Sequence, residues 1–223
     1  MIPERIFKSP NCRPRKTPII GIVDHITVGD AKSVLQTFLN PATEVAAHFL
    51  ITRTPAKLIQ FVDPSLAAYG SGIIYKPTAR LVLERLPNIL SGKYGANDLF
   101  IQIEHEGKPY EDLDPDQYRL SIELHDELTK VYDISLDRIH LIRHQEIRAS
   151  KTCPGVMDVN KIIKGVLERR SPGVQIAPLS PTPTDTLSQL NFIQLQIIKL
   201  QEILSNLRNI KKLGAVLSIS EKD

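Results

Sequence analysis

The 223-residue sequence has no tryptophan, two cysteines and no apolar run near the roughly 20 residues that a membrane-spanning helix requires. Two cysteines are too few for a disulfide-stapled scaffold, so a reducing compartment is expected, and the reading for a lone cysteine near histidines turns to metal or nucleophile. The opening MIPERIFKSPNCRPRK has no apolar stretch behind its basic residues. Export by an ordinary signal peptide is therefore not expected, and synthesis in the cytoplasm is. Neither charge sign dominates: 28 Lys and Arg against 25 Asp and Glu leave +3, too even for the concentrated basic face of a nucleic-acid groove. Nucleic acid is not an expected partner. No internal repeat marks a solenoid. What is present is 42% apolar residues, enough for a sizeable core, in a chain long enough for one catalytic-size domain and an appendage, or for two small domains.

Hydropathy patterning predicts a mixed α/β domain over residues 1–170. The run Pro18 to Thr27, PIIGIVDHIT, reads as a buried strand carrying Asp24 and His25 at its C-terminal end. A short helix follows over Asp30–Leu39, then two strands in AAHFLIT and KLIQFV with the breaker Pro55 between them. LFIQIEH, from Leu99 to His105, alternates as a strand, with Ile101, Ile103 and His105 on one face and Gln102, Glu104 and Glu106 on the other. Asp114, Pro115 and Gln117 predict a capped helix from Pro115 to Tyr132, its stripe being Tyr118, Ile122, His125, Leu128 and Tyr132. Arg138–Arg143 reads as a last strand that presents His144, and Asp158–Arg169 as a closing helix.

Composition shifts after residue 170. Residues 171–186, SPGVQIAPLSPTPTDT, read as an extended Pro-rich linker, 187–213 as an amphipathic helix and 214–223 as a polar terminus. The helix seam runs through Leu190, Ile193, Ile197, Leu200, Leu204 and Leu207. Leu195, Ile198, Ile203 and Ile210 widen it, so this face needs cover from a second copy, the catalytic domain or a membrane surface.

The segment HQEIRASKTCPG sets His144 and Cys153 nine positions apart. A catalytic zinc takes three protein ligands and leaves a position for water, and His25 at a strand end is the best-placed third donor, giving a His2Cys set. Together with VDHITVG, AHFLITR and IQIEHEG, in that order, this segment makes residues 18–168 resemble the zinc-dependent N-acetylmuramoyl-L-alanine amidases, whose fold is shared by peptidoglycan-recognition proteins and amidase-type phage lysozymes. The resemblance implies a central mixed β-sheet flanked by helices, Zn2+ on His25, His144 and Cys153, Glu104 as the base that activates water, and Lys151 steadying the oxyanion. Members use Asp or Cys as the last ligand, and Cys153 makes this chain the Cys type.

The sequence departs from that pattern at Ala47, where some members have a catalytic tyrosine, and at Tyr69-Gly70, where many have a Trp-His pair. The longer stretch 70–98 reads either as a wall of the cleft or as a surface excursion. His48 is the first expected supporter of the metal ligands, His105, His125 and His140 read as structural or as further supporters, and Cys12 has no assigned role. The function implied is cleavage of the amide between N-acetylmuramic acid and L-alanine in peptidoglycan, by a phage-type endolysin acting on the cell wall. The alternatives are a cytosolic amidase recycling muropeptides and a non-catalytic peptidoglycan-binding protein.

Overall fold

The computed structural model describes residues 3–171; the linker, tail helix and polar terminus expected beyond them lie, Ser171 apart, outside the described residues. Eight strands and six α-helices follow in order: β1 (Arg5–Ile6), β2 (Cys12–Pro14), β3 (Gly21–Ile26), α1 (Ala31–Leu39), β4 (Phe49–Ile51), β5 (Leu58–Gln60), β6 (Leu66–Ala68), α2 (Arg80–Leu90), α3 (Ala96–Leu99), β7 (Phe100–His105), α4 (Pro115–Val131), β8 (Leu141–Arg143), α5 (His144–Ile147) and α6 (Val159–Arg170). Six strands make one sheet in the order β1-β5-β4-β7-β3-β8, parallel throughout except where β4 meets β5, and β2 pairs with β6 in a separate ribbon. This is the expected mixed sheet with helices on both faces.

Side-chain alternation divides the sheet into two faces. Ile22, Ile26, Ile101, Ile103 and Leu141 pack with Leu124 and Leu128 of α4 and Val159 of α6. Val23, Phe100 and Ile142 pack on the other face with Leu81 and Val82 of α2 and with Leu99. Residues 79–99 are therefore a structural cover for that face, and the surface-excursion reading is corrected. α1 begins where Asp30 accepts the Ser33 N–H at 2.8 Å, and buries Val34 and Phe38, one turn apart. α4 begins on the expected capping box of Asp114 and Gln117. Its buried face is centred on Ser121, Leu124, His125 and Leu128, while Tyr118 and Tyr132 are only partly covered.

Beneath β3 lies a buried polar cluster. Asp24 and His125 are fully buried, with His125 Nε2 3.3 Å from Asp24 Oδ1. His105 bridges Ser121 Oγ (3.0 Å) and the His25 carbonyl (3.1 Å). Burial opposes charge on His125, but the Asp24 carboxylate outweighs it and raises the imidazole pKa. His125→Ala leaves Asp24 buried and unpaired, so it is expected to cost about 3–5 kcal/mol of stability. Urea unfolding checks this, and an unchanged midpoint would show that the pair contributes nothing.

Candidate active site

Three neighbouring parallel strands end together. In β3 and β7 His25 is registered opposite Glu104, and in β3 and β8 Asp24 is opposite Arg143, after which the chain enters α5 at His144. The segment after α5 folds back over the end of β3. Gln145 N–H donates to the Cys153 carbonyl at 2.9 Å, and Ile26 N–H donates to Cys153 Sγ at 3.1 Å. Gly155 closes that loop at φ +69°, with Pro109 O only 1.9 Å from where a Cβ would sit, so no other residue fits without moving backbone.

The segment missed as a cover also clamps α5. Tyr75 N–H donates to the Ile147 carbonyl, Ala149 N–H donates to the Tyr75 carbonyl, and Thr78 and Ala79 donate to the Glu146 carbonyl, all at 2.8–3.2 Å.

The result brings His25, His144 and Cys153 together as the sequence suggested, at 1%, 7% and 8% exposure. The two Nδ1 atoms face each other at 3.1 Å, Cys153 Sγ lies 3.7 Å from His25 Nδ1, and all three donor atoms fall within 4.8 Å of one another. The Nε2 atoms turn away: that of His25 is 2.8 Å from Gln102 Oε1 and that of His144 is 3.1 Å from the Ser71 carbonyl. Burial, reinforced for His25 by His144, lowers the imidazole pKa values to about 3 and about 4. Both rings are thus neutral and able to offer a lone pair to a cation. Burial, with the nearby Glu104, raises the Cys153 pKa and favours the thiol, a preference that a bound cation reverses.

Glu104 Oε1 lies 4.0 Å from His25 Nδ1, while its Oε2 is buried without a hydrogen-bond partner. Burial lifts this carboxyl to about 8, with Lys151 pulling in the other direction. These residues line a cleft of about 430 Å³ that also takes in Glu44, Tyr69, Gly70, Arg148 and the exposed Lys151. Ala47 is fully buried among Val34, Phe38 and Phe61, outside the cleft. Glu106, expected on the site face, instead accepts backbone N–H bonds from Ala31 (2.8 Å) and Arg53 (2.7 Å). His48 stands one step behind its expected place: its Nδ1 accepts from the Gln102 backbone N–H at 2.8 Å, and its hydrogen bonds reach neither His25 nor His144.

A sequence profile of the family described as N-acetylmuramoyl-L-alanine amidase matches residues 15–156, well over half of the chain and all four site segments. The chain belongs to the N-acetylmuramoyl-L-alanine amidase family. As a member of that family it is an amidase of cell-wall peptidoglycan. No curated protein sequence matches this amidase significantly. Among solved structures, it resembles AmpD (21% identity over 74% of this chain and 96% of AmpD, TM-score 0.57) and a point mutant of PlyL (17%, 75% and 99%, TM-score 0.53). It also resembles the Escherichia coli amidase AmiD in complex with the substrate anhydro-N-acetylmuramic acid-L-Ala-D-gamma-Glu-L-Lys (21%, 71% and 60%, TM-score 0.51). At these identities the likeness is one of fold.

Proposed function

We propose that this amidase hydrolyses the N-acetylmuramoyl-L-alanine bond with Zn2+ held by His25, His144 and Cys153, and that it acts as a phage-type endolysin on the intact wall. The observation that carries the reading is the convergence of three buried donors beside a carboxylate oxygen with no partner. Tetrahedral zinc with N bonds of about 2.0–2.1 Å and an S bond of about 2.3 Å needs N···N and N···S edges of roughly 3.3 and 3.6 Å. The two edges that include His25, at 3.1 and 3.7 Å, are close to these, and the His144–Cys153 edge lies within 4.8 Å. Magnesium or calcium would instead call for oxygen donors.

Zinc bound here supplies Lewis-acid polarisation of the scissile carbonyl and acidifies water. The chain's residues supply the proton path. Glu104 Oε2 takes a proton from the attacking water as the C–O bond forms. It then passes that proton to the L-alanine nitrogen as the C–N bond breaks, releasing a lactyl carboxylate and a free amine. Lys151 Nζ, on the rim of the same cleft, balances the negative charge on the carbonyl oxygen. Lys151→Ala is accordingly expected to lower kcat about 10²- to 10³-fold with zinc content intact, and an unchanged kcat would remove it from the mechanism.

The Pro-rich segment and apolar seam that follow the catalytic residues in sequence favour a wall-directed enzyme over one that handles soluble fragments. The test is zinc content together with release of L-alanine amino termini from whole sacculi and from soluble muropeptides. Zinc-dependent release from sacculi is expected. Activity confined to soluble muropeptides would make the enzyme a recycling amidase, and sacculus binding without release would make it a recognition protein.

A further inference from the structure

The two ligand histidines are oriented from a single point. Ser71 is fully buried in the chain between β6 and α2, its backbone N–H fixed at 2.8 Å by Asn97 Oδ1. Its carbonyl lies 3.1 Å from His144 Nε2. Its hydroxyl oxygen lies 2.8 Å from Gln102 Nε2, and the other end of that amide, Oε1, lies 2.8 Å from His25 Nε2. Gln102 is itself fully buried, and its backbone N–H is tied to His48 Nδ1 at 2.8 Å.

The donor inventory gives this chain a direction. A carbonyl only accepts, so His144 carries its proton on Nε2 and turns the Nδ1 lone pair into the site. With the Gln102 NH2 group donating to the serine oxygen, its Oε1 accepts the Nε2 proton of His25, and that ring presents an Nδ1 lone pair as well. If the Gln102 amide were turned over, an N–H would face His25 Nε2 and force the ring proton onto Nδ1, toward the metal position. In the amide orientation the structure holds, both ends of the relay favour the same state: two neutral rings with lone pairs facing Cys153 Sγ.

We propose that Ser71 and Gln102 are positioning residues that set both ligand histidines in the Nε2–H tautomer and so hold the metal site in its binding form. The inference rests on the zinc reading above. It also gives Ser71 a role, which composition and periodicity left unassigned.

The experiment uses the full chain, with zinc affinity measured by competition against a chromogenic chelator and the imidazole N–H protons of the zinc-loaded protein observed by NMR. Wild type is expected to show exchange-protected Nε2–H signals from both His25 and His144, assigned apart from those of the other buried histidines. Gln102→Leu keeps the bulk but not the acceptor. It is expected to weaken zinc binding about 10- to 100-fold, the usual cost of losing an outer partner of a metal-ligating histidine, and to lose protection of the His25 signal alone. Ser71→Ala frees the Gln102 amide but keeps the carbonyl, so it is expected to weaken zinc binding by a smaller factor while the His144 signal stays protected. Gln102→Glu is the rescue: a carboxylate accepts from His25 and from the serine hydroxyl, so near wild-type affinity and both signals are expected.

Wild-type affinity in Gln102→Leu, or Gln102→Glu as weak as Gln102→Leu, would overturn the inference while leaving the zinc reading in place. A wild-type chain that binds no zinc would overturn the zinc reading and this inference with it.

Discussion

Glu104→Gln is expected to keep wild-type zinc content while hydrolysis of peptidoglycan falls about 10²- to 10⁴-fold, the usual worth of a positioned general base. The substitution preserves shape and burial, so it removes little besides the ability to take up a proton. The carboxylate sits where such a base is useful: one oxygen is 4.0 Å from His25 Nδ1 and the other is buried with no hydrogen bond to hold it. Burial, against the opposing pull of Lys151, lifts its pKa to about 8. A cation beside it favours the ionised form, so in the loaded enzyme the acid limb of the rate profile lies below that value. The sign follows from the role. A base works ionised, so kcat/KM of wild type rises with pH through the Glu104 pKa, and that rising limb is lost in Glu104→Gln. Near-normal hydrolysis by the variant, or an unchanged acid limb, would mean that the proton goes elsewhere.

The second large effect is at Cys153. Cys153→Ser exchanges a soft donor that ionises on metal binding for a hydroxyl that stays protonated, leaving two histidines as effective ligands. Zinc retention through gel filtration is expected to fail. The fall in affinity should exceed the roughly 10- to 100-fold cost of an outer-partner loss, and hydrolysis should disappear with the metal. Cys153→Asp separates ligation from folding, because an aspartate serves as the last ligand in other members of the family. It is expected to recover part of the zinc binding. Equal zinc occupancy in Cys153→Ser and wild type would remove Cys153 from the ligand set.

The long elements were legible because several local signals agreed. The α4 terminus carried Asp114, Pro115 and Gln117 in the spacing that satisfies orphan N–H groups, and the helix begins there. β3 and β7 were apolar runs of strand length with polar residues at their C-terminal ends, which located His25 and Glu104 together with their elements. β1, β2 and β6 span two or three residues, too short to show a period, and were not foreseen. α2 was hidden for a different reason: it has no side-chain cap at Ala79 and contains Pro87, a residue that ordinarily argues against a helix. Within the site, donors were readable from residue type and order, whereas their supports were not. Gln102 could be placed on the right face by alternation two residues before Glu104. Ser71 had no signal of any kind, since its contribution to His144 is a backbone carbonyl that any residue possesses.

The three donors hang from parts of unequal tenacity. β3 lies inside the sheet with a parallel strand on each side, so its amides are expected among the slowest to exchange, opening with global unfolding. His144 and Cys153 belong to a four-residue helix and the loop after it, held across the fold by a handful of backbone bonds with residues 75, 78, 79 and 109. With zinc held as proposed, its release is expected to be a local event, the lifting of a clasp from a fixed post. The rate at which a chelator strips zinc should follow the opening of residues 144–156, and a change such as His125→Ala, which lowers the global barrier from the opposite face of the sheet, should leave that rate untouched. Persistence of the metal and persistence of the fold are, on this architecture, separate clocks.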